Sequence, residues 1–174
     1  MNFFVRDPPA HAVPALLLPP ELQFHSWQPE LDGRPTGGSR RASNHFWWAL
    51  AKAGAFARPG FVELRIQNDG QLLHRLIVTP AWYRFPFMAR EDLQIGEVWT
   101  SPDARRKQLA RAAIAEAHRR FADGSARFWY VTDANNFASG ELARSCGYRL
   151  VATGRRTRRL GTSLLGQYVI DRYV

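Results

Sequence analysis

The chain has a single cysteine, Cys146, in 174 residues. That excludes an internal disulfide and a zinc site built on cysteines, and it suits a reducing, cytoplasmic setting. Lysine is scarce too: Lys52 and Lys107 stand alone, and the rest of the 24 basic residues are arginine. A long apolar run is missing. The nearest approach, residues 13–18, is cut by Pro14 and preceded by Arg6 and Asp7, so neither a signal peptide nor a membrane span is expected. There is no Gly-x-Ser-x-Gly elbow, and His11, His25, His45, His74 and His118 lack metal-ligand spacing. No metal is expected, and Cys146 reads as a small buried hydrophobe rather than a nucleophile.

Acidic residues are the minority, which leaves a net charge of +9. Such a balance fits nucleic acid, anionic lipid or an anionic small ligand. Most of the arginines read as solvated; the clusters at 105–107 and 155–159 are the exceptions.

The apolar content suffices for one packed domain. Residues 1–42 are proline-rich and weakly patterned, and read as an N-terminal arm with one short strand at 22–27. Residues 43–174 read as the core of the same domain. Ser43 is placed as the cap of a helix over 43–56. Strands follow at 61–67 and 72–79 around Asp69-Gly70, a hairpin signal, and at 93–100. A helix is expected over 105–121, a strand over 127–132, a helix over 136–146 closed by Gly147, and strands over 148–153 and 164–174. This order gives a single α+β domain, with a mixed, mostly antiparallel sheet and helices on both faces.

Two stretches carry chemistry. In the first, Ser101-Pro102 ends a strand and Arg105-Arg106-Lys107 follow where an alanine-rich helix should begin. Cations there oppose the partial positive charge of a helix N-terminus. A pyrophosphate would resolve the conflict, gripped by first-turn amides and by Arg105, Arg106, Lys107 and Arg111. A solvated basic turn is the alternative. In the second, Asn136 caps a short helix or hydrogen-bonds a ligand at the strand edge.

Together the two stretches resemble the GCN5-related N-acetyltransferase (GNAT) superfamily. Its first pattern, a strand ending in hydrophobic-x-Pro and then Arg/Gln-x-x-Gly-x-Gly/Ala, stands here as Thr100-Ser101-Pro102-Asp103-Ala104-Arg105-Arg106-Lys107-Gln108-Leu109-Ala110. Its second stands as Asn136-x-x-Ser139 followed by Gly147-Tyr148. The resemblance runs from about residue 43 to the end. It implies an acyl-CoA N-acyltransferase moving acetyl from acetyl-CoA to a primary amine by direct attack. Val98, Trp99 and Thr100 would pair with pantetheine, the turn Arg105, Arg106, Lys107, Gln108, Leu109, Ala110 would hold the pyrophosphate, and Asn136 and Ser139 would line the far side. Two family glycines are replaced, by Arg106 and Gln108, and the family's acid tyrosine falls at Ala143.

Glu97, on the strand leading to the junction, is the first candidate for general base, with Asp92 and His74 in reserve and Tyr83 or Tyr148 as acid. Strand alternation sets Glu97 and Val98 on opposite faces unless a bulge intervenes. Trp82, Tyr83 and Phe85 are expected to wall the acceptor pocket or to plug the sheet. The same segment resembles acyltransferase-like proteins of bacterial surface-polysaccharide pathways, which implies an amino-sugar acceptor. Two other readings stay open: a catalytically silent acyl-CoA-binding or scaffold member, and a basic nucleic-acid-binding module, for which no motif stands. A homodimer is left open.

Overall fold

The structure, a computed structural model, describes residues 1–8, 18–29, 31–32, 34, 42–121, 126–158 and 166–174. Among the described residues eight strands form one sheet: β1 (Asn2–Arg6), β2 (Gln23–Trp27), β3 (Val62–Asn68), β4 (Gln71–Pro80), β5 (Leu93–Thr100), β6 (Phe128–Thr132), β7 (Arg149–Arg156) and β8 (Tyr168–Tyr173). The α-helices among the described residues are α1 (Ala42–Lys52), α2 (Leu109–Arg120) and α3 (Phe137–Ser145). The order across the sheet is β2-β3-β4-β5-β6-β1-β7-β8. Neighbours run antiparallel, apart from β5 and β6, which are parallel. The expected α+β class with a mostly antiparallel sheet is what the chain adopts.

Alternation assigns the faces. Val62, Leu64 and Ile66 of β3, Leu76 and Val78 of β4, and Leu93 and Ile95 of β5 share a core with α2. That helix buries Leu109, Ala112, Ala113, Ile114 and Ala117; its alanines let it lie close to the sheet. Ala143 of α3 joins the same core beside Phe4. On the opposite face Trp47 of α1 packs with Trp27, Phe61, Ile77, Trp82 and Phe85. Helices thus cover both faces. The Asp69-Gly70 hairpin turn forms as expected, with φ of 46° and 79° at its two residues, the type I′ signature.

Several local expectations are corrected. Residues 2–6 do not belong to an arm: β1 lies inside the sheet between β6 and β7, with Phe3 and Phe4 fully buried. Ser43 lies within α1 rather than capping it, and α1 stops at Lys52. The buried face of α1 carries Asn44 and Trp47, while Phe46 is exposed. Helix α2 starts at Leu109, not at 105. Strand β7 runs past its expected end at 153 to include Arg155 and Arg156, and Arg159 lies outside the described residues, as do 164 and 165 of the expected last strand.

Candidate active site

Strands β5 and β6 pair through only Leu93, Gln94 and Ile95, opposite Phe128, Trp129 and Tyr130. Beyond Ile95 they splay. On the other side of β5 the register with β4 jumps from Gly96 opposite Ile77 to Trp99 opposite Arg75. Glu97 sits in the jump with φ of 48°, so one extra residue is accommodated as a bulge. Glu97 and Val98 still point opposite ways, but the bulge sets Glu97 on the α1 face beside Gly96. The splay opens a cleft of about 360 Å³, lined by Gly96, Glu97 and Val98 on one side and by Tyr130, Thr132, Asn136 and Ser139 on the other. The Ser101 N–H donates to Leu73 O of β4 at 2.8 Å. Amide directions alternate along a strand, so Trp99 also turns its N–H toward β4. Val98 and Thr100 turn theirs toward the open side. Trp99 itself is exposed.

At the end of β5 a single 3-10 turn, Pro102–Ala104, leads into the basic loop. Arg105, Arg106, Lys107 and Gln108 precede the helix, all exposed. Arg106 and Gln108 have φ of 63° and 62°. Gln108 stands where the GNAT pattern carries glycine and Arg106 where glycine is the commonest residue; both hold a left-handed backbone with L-residues in it. The Gln108 side chain accepts from Arg111 Nη1 at 3.0 Å. The first helical bond runs from Ala112 N to Gln108 O at 3.0 Å. The N–H groups of Leu109, Ala110 and Arg111 therefore have no partner within α2. A pocket of about 250 Å³ lies here, lined by Thr100, Arg105, Arg106, Gln108, Leu109, Ala110 and Arg111. Lys107 does not line it. On α3, Asn136 Oδ1 caps Ser139 N at 3.1 Å, as the second motif leads one to expect.

Glu97 is held by two donors on the α1 face: Trp47 Nε1 to Oε1 at 3.1 Å and Arg75 Nη1 to Oε2 at 2.8 Å. It lines the cleft and also a second, smaller pocket of about 120 Å³, walled by Trp47, Trp82, Arg84, Phe85, Gln94 and Tyr168. Phe85 and Tyr168 stack at 5.0 Å. Of the three expected wall residues, Trp82 and Phe85 line this pocket. Tyr83 does not; it is exposed, and its carbonyl accepts from Gln167 Nε2 at 2.7 Å.

The reserve residues fall elsewhere. His74 is buried on the α2 face, bonded through Nδ1 to Thr100 Oγ1 at 2.8 Å. Burial, with Arg75 beside it, pushes its pKa down to about 4. Asp92 is buried and accepts from Arg127, from Trp129 Nε1 at 2.8 Å and from Ala89 N at 3.0 Å. It locks the 81–92 loop to β6 and faces no cavity described above. Tyr148 is buried with its hydroxyl 2.8 Å from His118 Nε2. Arg6 Nη1 lies 2.6 Å from His118 Nδ1. A guanidinium only donates, so Nδ1 accepts and Nε2 carries the hydrogen given to Tyr148. Burial and Arg6 push His118 down to about 3. Burial also raises the Cys146 thiol, in keeping with a hydrophobe.

Sequence reasoning missed Tyr130. It lines the cleft opposite Val98 with its hydroxyl against Ser139, and burial raises its pKa, so it stays protonated at neutral pH. Trp47, Gln94, Tyr168 and Arg84 were missed as well, whereas Arg156 belongs to the 155–159 cluster already set apart in the sequence. They come from separate segments, and only the folded sheet brings them to one rim. Among the described residues no cluster of His, Cys, Asp or Glu could hold a metal ion, and no helix is long and apolar enough to cross a membrane.

Comparison with known proteins bears on the fold. No curated protein matches the chain. Among solved structures, a Drosophila protein superposes with a TM-score of 0.57 at 17% identity, covering 86% of this chain and 46% of its own. A putative GNAT-family acetyltransferase from Novosphingobium aromaticivorans gives 0.53 at 15% identity, covering 86% and 59%. AAC(6')-Iy, solved in complex with the bisubstrate analog CoA-S-monomethyl-acetylneamine, gives 0.54 at 10% identity, covering 79% and 97%. The chain thus spans about half the length of the first of these structures. The model of the acetyltransferase (GNAT) family matches residues 15–148, starting within the stretch that the sequence patterns left outside the resemblance. The chain belongs to the GNAT acetyltransferase family.

Proposed function

We propose that the protein is an N-acetyltransferase that uses acetyl-CoA and acts on the primary amine of a small molecule. One observation carries the reading: the open backbone edge of β5 runs from Glu97, through Val98 and Thr100, straight to the Arg105–Arg106 loop and the free amides of α2. Such an edge accepts an extended amide-bearing chain as if it were another strand. Three unpartnered helix amides beside two arginines suit a pyrophosphate. A CoA-like group therefore fits the residues present. When bound it supplies an acyl group activated as a thioester.

The chain's own residues would do the rest. The backbone of Val98, Trp99 and Thr100 orients the pantetheine arm. Arg105, Arg106 and the 108–110 backbone hold the pyrophosphate, with Gln108 tied to Arg111 at the wall and Lys107 adding charge from outside. Asn136 and Ser139 form the far side. Glu97, fixed by Trp47 and Arg75, receives the proton of the attacking amine. The protonated Tyr130 hydroxyl offers a hydrogen bond to the departing sulfur, the task that Ala143 cannot perform. Trp82 and Phe85 shape the acceptor side.

The test is a thermal-shift titration with CoA and acetyl-CoA, with ATP and a short DNA duplex as controls, followed by thiol release with a panel of amines. Saturation by CoA at a hundredfold excess over Kd stabilises by about 2.7 kcal/mol. Loss of that shift in Arg105→Glu/Arg106→Glu supports the assignment. A shift without turnover on any amine would favour the silent binding member. A shift with duplex, falling steeply with salt, would favour nucleic acid.

A further inference from the structure

Two arginines flank the acceptor side in register. The Tyr168 N–H donates to the carbonyl of Arg84 at 2.8 Å, and Tyr168 stands directly opposite Arg156 across the β7–β8 pair. The backbones of Arg84, Tyr168 and Arg156 thus lie side by side in one row. Each guanidinium lies over an aromatic ring: Arg84 over Trp82 at 4.9 Å and Arg156 over Tyr168 at 5.4 Å. Arg84 and Tyr168 line the small pocket, Arg156 and Tyr168 the cleft, and Glu97 lines both. Among the described residues Arg156 makes no ion pair. Its Nε is buried without a partner, so part of this cation is desolvated with no carboxylate in compensation.

Among the described residues the carboxylates lining the two cavities are Glu97 and the exposed Asp133. Glu97 is already engaged by Trp47 and Arg75. A polycationic acceptor would meet Arg156, which makes no ion pair among the described residues, on the wall of the cleft. An acceptor with an anionic oxygen group would instead find planar donors preset by stacking, which spares side-chain entropy on binding.

We infer that the acceptor is an amphoteric molecule: a primary amine that also bears a carboxylate or a phosphate, the amine meeting Glu97 and the anionic group meeting Arg156 and Arg84. This rests on the acetyltransferase reading. Arg156 and Arg84 are the specificity determinants, and the aromatic rings between them hold the intervening carbon skeleton.

Matched pairs that differ by the anionic group alone test it: tryptamine against tryptophan, tyramine against tyrosine, glucosamine against glucosamine 6-phosphate. Each is titrated into the CoA-saturated protein by calorimetry and assayed for acetyl-CoA-dependent thiol release. The anionic member of at least one pair should bind tenfold tighter or better. The first two pairs report a carboxylate, the third a phosphate. In Arg156→Gln that ratio should collapse toward one, and in Arg156→Glu it should invert. The CoA-induced thermal shift is measured in parallel on every variant, so a misfolded variant shows itself. If CoA itself fails to bind, the acetyltransferase reading falls. If CoA binds but the neutral amines match or beat their partners, or no anionic amine binds, the inference alone is overturned.

Discussion

The indole of Trp47, on α1, donates its N–H to the carboxylate of Glu97 on the β5 bulge at 3.1 Å. A helix on one face of the sheet thereby orients the carboxylate that, among the described residues, both cavities share. Trp47→Phe keeps a ring in the aromatic cluster and removes the donor. We expect kcat to fall about tenfold, equivalent to about 1.4 kcal/mol, with the CoA-induced thermal shift unchanged. Glu97→Gln should cost about a hundredfold or more. Steady-state kinetics on any amine turned over decides this, and wild-type kcat in both variants would remove Glu97 from the reaction.

The left-handed backbone at Gln108 leads to a second expectation. That conformation costs an L-residue roughly 1–2 kcal/mol, whereas glycine adopts it freely but loses about 0.5–1 kcal/mol through its looser unfolded chain. Gln108→Gly should raise stability by up to about 1 kcal/mol and tighten CoA binding, because a side chain leaves the pocket wall. Gln108→Val should do the reverse. Urea melts with and without CoA read both effects; a clear loss of stability on Gln108→Gly would contradict the conformation at this position.

Two buried histidines make stability depend on pH. Burial holds His74 at about 4 and His118 at about 3, against an ordinary value near 6.5 in the unfolded chain. The unfolded state therefore binds more protons, and stability rises with pH. Their contribution is full above about pH 6.5 and is lost as pH falls toward 4 and then 3, at up to about 1.4 kcal/mol per pH unit for each. Denaturant melts at pH 7.5 and 5 should differ accordingly, and His118→Gln should flatten part of the slope. A flat profile between those pH values would show that neither ring is buried neutral.

Asp92 joins the aromatic loop to the sheet through Arg127, Trp129 and the Ala89 N–H. Asp92→Ala would strand three donors, two of them on or beside β6. A loss of about 3 kcal/mol is expected, in the range for breaking a buried charged network. The acceptor pocket should loosen with it, because Trp82 and Phe85 ride on the same loop. Chemical denaturation gives the first number, and hydrogen exchange over 81–92 the second. Unchanged exchange there would mean the loop is held by its aromatic packing alone.

How much of this was legible in the sequence depends on whether the signal is local. The Asp69-Gly70 turn, the alternation of β3 to β5 and the Asn136 cap are written in adjacent residues. The start of α2 is not, because helix-forming side chains continue back through Arg105 while two left-handed residues break the helix. The central place of β1 was invisible. Five residues before a proline-rich stretch say nothing about which strands they will separate. The site divides in the same way. Glu97, Arg105, Arg106 and Asn136 belong to contiguous motifs. Trp47, Tyr130, Tyr168, Arg84 and Arg156 converge only through pairings between distant strands. Tyr83 was misplaced because a run of aromatics does not announce which of them turn outward.

The strand order also sets a timetable for folding. On one side of the splay, β3, β4 and β5 form a meander whose partners are close in sequence, so they can assemble as soon as they are made. On the other side, β1 can pair only when β6 and β7 exist, since Phe4 sits opposite Tyr130 and Leu150. Closing so long a loop is entropically slow. Until it closes, Phe3, Phe4 and Val5 form an apolar strand with two bare edges, ready to join another chain. A fragment that ends before residue 128 should therefore aggregate, however well its meander folds.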